Sequence, residues 1–129
     1  MIIFINNGNY VYKYNDYKII LKKLKDNVTI YIHNDLKLKK YKIEINEEEL
    51  LNDEHFQSIK REYNVLELFG LSNVELLTIL LDNSMKKNTY KIEWCRISPL
   101  NIKNDIVKFD VVVSPNLELS FVLNFYEYY

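Results

Sequence analysis

The chain has 129 residues and a mass of 15.6 kDa, with 48% hydrophobic residues, 27% charged residues and a net charge of -1. That size suits one domain with its own core and excludes a large two-domain enzyme. Two glycines and two prolines exclude collagen-like and low-complexity classes, and leave no material for a glycine-rich phosphate loop.

The opening Ile2–Ile5 reads as a short strand, and Asn6-Asn7-Gly8-Asn9 as a turn, because Gly and Asn tolerate positive φ. Tyr10, Tyr12 and Tyr14 then alternate with Val11 and Lys13, so the two segments form a predicted hairpin. Residues 17–25 fit either a helical turn or a strand with a ragged end, and the shortness of the segment favours the strand. Val28, Ile30 and Ile32 alternate with Thr29, Tyr31 and His33 in a clear strand, and Asn34-Asp35 is a candidate two-residue turn. Leu36 and Leu38 resume the alternation, but Tyr41, Ile43 and Ile45 continue it in the opposite phase. A β-bulge at Lys39-Lys40 is the expected repair.

Asn46 is a good N-cap with Glu49 in the capping-box position, and three glutamates occupy the first turn, where the helix dipole favours anions. A helix is predicted from there to Gly70, with Phe56, Ile59, Tyr63 and Leu66 as its apolar stripe. Ser72 and Glu75 cap a second helix, apolar on nearly all sides from Val74 to Leu81 and followed by a loop at Asp82-Asn83-Ser84 and Lys86-Lys87-Asn88. Strands return with Tyr90, Ile92 and Trp94 and end at Pro99. A further strand carries Val107, Phe109, Val111 and Val113 and ends at Pro115. After a turn at Asn116, the last carries Leu117, Leu119, Phe121, Leu123 and Phe125. Grouped strands, grouped helices and grouped strands again predict one α+β domain over 1–129. Its sheet is expected to be mostly antiparallel, of about five to seven strands, with two central helices on one face.

No spacing points to catalysis. Cys95 is the single cysteine, so a disulfide within the chain and a Cys-rich zinc site are excluded. No cysteine-hydrolase signature surrounds it, and the histidines, His33 and His55, are remote in sequence. Asp53, Glu54 and His55 are adjacent, and neighbours on a helix diverge by about 100°. No catalytic residue, cofactor or metal ligand is assigned, and the protein is not expected to be an enzyme. The N-terminal apolar run lacks a positive n-region, and no run approaches the ~20 residues that span a bilayer, so a cytoplasmic location without membrane contact is expected.

Charge is unevenly distributed. Residues 1–42 hold nine lysines against three aspartates, and residues 43–129 hold eight basic against fifteen acidic groups. Glu47, Glu48, Glu49, Asp53 and Glu54 form the densest acidic run; Tyr10, Tyr12, Tyr14, Tyr126 and Tyr128 supply rings suited to interfaces. These ten residues are the candidate partner-binding set. The expected function is that of a non-catalytic inhibitor or accessory protein, of the kind exemplified by immunity proteins and phage-encoded inhibitors of host-defence nucleases. It would bind another protein of basic surface by steric and electrostatic occlusion. One alternative is a nucleic-acid-binding module built on the Lys/Tyr-rich first third, against which the scarcity of arginine and a pI near 6.1 weigh. Another is a self-associating subunit, a homodimer paired through the edge of the final strand.

Overall fold

The computed structural model describes residues 7–14, 16–62, 71–87, 95–99, 106–114 and 119–128. Its elements are β1 (Gly8–Tyr14), β2 (Tyr17–Lys23), β3 (Asn27–Asn34), β4 (Lys39–Asn46), α1 (Glu47–Leu51), α2 (Glu54–Glu62), α3 (Asn73–Lys87), β5 (Cys95–Pro99), β6 (Ile106–Ser114) and β7 (Leu119–Glu127). The strands form one seven-stranded sheet in the order β1-β2-β3-β4-β7-β6-β5, and every pairing is antiparallel. The α+β class and the mostly antiparallel sheet therefore hold. The ambiguous segment 17–25 is strand from Tyr17 to Lys23, the element β2.

Period-two alternation explains how the strands are made. Ile19 and Leu21 in β2, Val28, Ile30 and Ile32 in β3, and Tyr41 and Ile45 in β4 point to one face and are buried. Val107, Phe109 and Val111 of β6 and Phe121 and Phe125 of β7 continue that face, with Phe109 and Phe125 meeting edge-on at 6.0 Å. Leu50, Phe56 and Ile59 from α1 and α2, and Val74, Leu76, Leu77, Leu80 and Leu81 from α3, close over it in a single core. Each fully buried Leu, Ile or Phe contributes about 1.5–3 kcal/mol relative to exposure. Buried Thr78 satisfies its hydroxyl within the helix by donating to the Val74 carbonyl.

Five expectations need correction, the first being the turn at Asn6-Asn7-Gly8-Asn9, of which Gly8 and Asn9 are strand residues of β1 paired with Lys23 and Lys22. No bulge occurs at Lys39-Lys40, since β3 and β4 pair without interruption from Asn27↔Asn46 to Asn34↔Lys39. The phase slip is absorbed by a turn at 35–38, wider than Asn34-Asp35, in which the Lys37 amide donates to Asn34 Oδ1 and Leu38 takes a left-handed φ of 54°. Leu36 and Leu38 consequently lie in solvent. Among the described residues, the register shifts instead between Val112 and Ser114 of β6.

The first helix is two helices. Asn46 caps α1 as expected, its Oδ1 accepting from the Glu49 amide at 2.8 Å. Asp53 then recaps the chain by accepting from the Phe56 amide at 3.0 Å, so α2 starts afresh. A short polar side chain that can bond its own downstream backbone competes with helix continuation. Among the described residues, three helices therefore cover the sheet instead of two.

Asp82-Asn83-Ser84 is helix, not loop, and α3 runs on through Lys86-Lys87. Tertiary partners override the local preference, since the Tyr12 hydroxyl donates to Asp82 Oδ1 and buried Ser84 donates to the Val112 carbonyl. Finally, the last strand is not an edge. β7 lies between β4 and β6, and among the described residues the outermost strands are β1 and β5. Self-association through a free edge of the final strand is thereby removed.

Ile2–Ile5, Tyr63, Leu66, Gly70, Asn88, Tyr90, Ile92, Trp94, Pro115, Asn116 and Leu117 lie outside the described residues, so the strand, stripe and turn readings placed on them do too. Pro99 is the last residue of the edge strand β5, where a missing N–H costs least.

Candidate functional site

The sheet opens between β4 and β7. These strands pair only through Tyr41↔Glu127 and Lys42↔Tyr126, with the Tyr128 amide donating to the Lys40 carbonyl just beyond. Past Lys42 they no longer pair, while β4 stays paired with β3 up to Asn46, where α1 begins. The result is a cleft of about 300 Å³ lined by Ile43, Ile45, Leu50, Val122 and Leu123, with Glu49, Asp53, Asn124 and Tyr126 beside them. Apolar side chains line both walls, and two carboxylates stand among them.

The acidic run divides in two here. Glu47 is committed inside the fold, where its carboxylate crosses to the start of α3 and accepts from the Val74 amide at 2.6 Å and the Asn73 amide at 3.2 Å. The Asn73 side-chain amide also donates to it at 3.3 Å. Asn73 Oδ1 in turn accepts from Gln57 and Lys60, so one knot ties α1, α2 and α3. An anion belongs there, because it meets unsatisfied backbone donors and the positive end of the helix dipole. Glu48, Glu49, Asp53 and Glu54 are exposed instead. Of the candidate partner-binding residues, the cleft brings together Glu49, Asp53 and Tyr126.

The tyrosines divide in the same way. Tyr10, Tyr12 and Tyr14 are half-buried on the helix side of β1 and pack against the core. Tyr12 hydrogen-bonds Asp82, which also receives Lys86 Nζ at 3.0 Å. Burial first, then the Asp82 bond and charge, push the Tyr12 phenol far above its ordinary range. These rings hold the fold and offer no exposed anchor. Tyr126 and Tyr128 lie on the opposite face of the sheet, where β7 meets β4, and Tyr126 is 58% exposed.

The sheet face away from the helices carries Tyr126 and Tyr128 of the candidate set together with lysines of the first third, while Tyr31 and His33 join them only in the folded structure. Register aligns Lys13, Lys18, His33 and Lys40 in one row across β1 to β4, and Val11, Ile20, Tyr31, Lys42 and Tyr126 in the next. The His33 ring and the Tyr128 hydroxyl share a 3.1 Å hydrogen bond, Tyr31 lies 6.0 Å from Tyr128, and Lys42 Nζ sits 5.1 Å above the Tyr128 ring. Desolvation, then the charges of Lys40 and Lys18 against the opposing Asp35, lower the His33 pKa below its usual value. Burial, then Tyr31, raises that of Tyr128.

His55 Nε2 donates to the Ser120 carbonyl at 2.7 Å, tying α2 to β7. A second open groove, of about 520 Å³, runs along α2 past His55, Glu54 and Arg61. The backbone of Cys95 pairs with Val111 in the sheet. Among the described residues, no three potential metal-ligating side chains converge, and no helix is long and apolar enough to cross a membrane. No family model matches this chain, and neither does any curated protein or solved structure.

Proposed function

We propose that this chain is a non-catalytic binding protein that grips a basic, partly apolar segment of another protein in the cleft between β4 and β7. The observation that carries the reading is the placement of Glu49 and Asp53 beside the apolar walls of Ile43, Ile45, Leu50 and Leu123. Apolar side chains of the partner would lose water against those walls, while its lysines or arginines would meet the two carboxylates. Glu48 and Glu54, exposed on α1 and α2, extend the negative field beyond the cleft and would speed encounter with a cationic surface. A nuclease or other nucleic-acid-handling protein has such a surface, so occlusion by this end of the molecule would inhibit it.

The test uses the wild-type chain and the E49K/D53K variant as baits in the native host, followed by titration of whatever the wild type captures. Both residues are exposed, but Asp53 also caps α2, so circular dichroism checks that the double variant keeps its helices, and E49K alone, which touches no cap, is titrated beside it. Each exposed ion pair is worth at most about 1 kcal/mol. Reversing two of them is therefore expected to weaken binding about ten- to a hundredfold and to slow association most at low salt. A captured partner with an acidic contact surface, or equal affinity for both baits, refutes the proposal.

A further inference from the structure

We propose that the sheet face turned away from the helices is a second site, a platform for single-stranded nucleic acid. The first observation is electrostatic. Lys13, Lys18 and Lys40 share one row with His33, Lys42 stands in the next row and Lys22 in the one after that. Like charges directly across a pair of strands oppose folding. Among the described residues the ion pairs are Lys39–Glu127 and Lys86–Asp82, so none of these lysines is neutralised by one. Glu44 is the acidic member of the Lys22–Thr29 row, and Asp35 in the adjoining turn is near enough to act on His33. The face keeps a surplus of positive charge, which an array of phosphates would satisfy.

The second observation is the rings. Tyr31, His33 and Tyr128 form a fixed cluster on the central strands, with centroids 6.0–6.5 Å apart. Tyr126 stands beside Lys42 in the same cross-strand row and is 58% exposed. Bases stack on such rings whatever their sequence, while lysines follow the backbone. An acidic peptide would match the lysines and leave the aromatic row unused, so nucleic acid accounts for both observations. Of the rings that the sequence pointed to, Tyr126 and Tyr128 stand on this face, whereas Tyr10, Tyr12 and Tyr14 face the helices.

The experiment is fluorescence anisotropy with a short labelled oligothymidylate at about 50 and 200 mM salt. Four phosphate contacts give a logarithmic salt slope near -2.8, which is about a fiftyfold loss of affinity between those concentrations. The K18E/K40E variant is expected to bind more than tenfold more weakly with a shallower slope. Y126A is expected to bind about tenfold more weakly with the slope kept, since stacking is worth roughly 1–3 kcal/mol per base. Circular dichroism confirms that these surface variants fold. Tyr126 also borders the cleft; Lys18 and Lys40 do not, so the lysine pair separates this site from the protein-binding one. Absence of binding at low salt overturns the proposal. So does equal or tighter binding of heparin or phosphatidylserine vesicles that Y126A leaves unchanged, which would mark a surface for any polyanion or for a membrane.

Discussion

Glu47 offers the sharpest test of how this fold is held. Its sequence neighbours Glu48 and Glu49 share its residue type and its place in a helical first turn, yet only Glu47 reaches across to α3. E47A removes the acceptor of two backbone N–H groups and one side-chain amide. Hydrogen bonds to a charged group contribute about 1.5–3 kcal/mol each. Glu47 is only half-buried, so water can reach some of the orphaned donors and the sum falls short of the full count. The expected loss is about 2–4 kcal/mol, or roughly 10 °C in Tm for a domain of this size. E47Q should cost about half as much, because one oxygen remains while the new NH₂ faces another donor. E48A, at an exposed position, should stay within about 0.5 kcal/mol of wild type. Urea unfolding followed by circular dichroism measures all three. If E47A and E48A unfold together, the knot between α1 and α3 does not stabilise the protein and the reasoning fails.

Three further outcomes are expected. His33 has a lowered pKa in the fold, so the neutral form is favoured there. Its contribution is therefore full above the unfolded value near 6.5 and is lost as pH falls through the lowered folded value. H33N should flatten that part of the pH dependence of the urea midpoint, and identical slopes for both proteins would contradict it. Leu38 holds a left-handed φ of 54° and is 86% exposed, so L38G relieves backbone strain without losing burial and should raise stability by up to about 1 kcal/mol; a lower melting temperature would refute this. Y12F leaves Asp82 with Lys86 but without its phenol donor, and a loss of about 1 kcal/mol is expected in thermal unfolding, whereas no loss would show the bond to be idle.

Signals that act within a few residues were legible. Val28, Ile30 and Ile32 announce which face of β3 is buried, and the Asn46 and Ser72 caps bond as their spacing implies. Where the sequence reading missed, a second local solution or a distant partner decided. The phase slip after Asn34 suits a bulge or a wider turn equally well, and periodicity alone cannot choose between them. Asp53 looks like one more acidic residue of a continuing helix until its side chain is seen to cap the next one. Asp82 and Ser84 carry loop-like polarity, but Tyr12 and the Val112 carbonyl, dozens of residues away, satisfy them within a helix.

From the sequence alone came the strand–helix–strand order, the class it implies, the lysine-rich first third and the acidic run. Each of these depends on composition or on contacts along the chain. Tertiary structure alone decided that β4 adjoins β7 and then parts from it, since strand order is set by pairings between segments some eighty residues apart. That one adjacency brings Glu49 and Asp53 to Tyr126 and aligns Lys42 with it, while the helices bury the tyrosines of β1. Side chains of identical chemistry thus became core or surface according to the face they stand on, a property that no single segment carries.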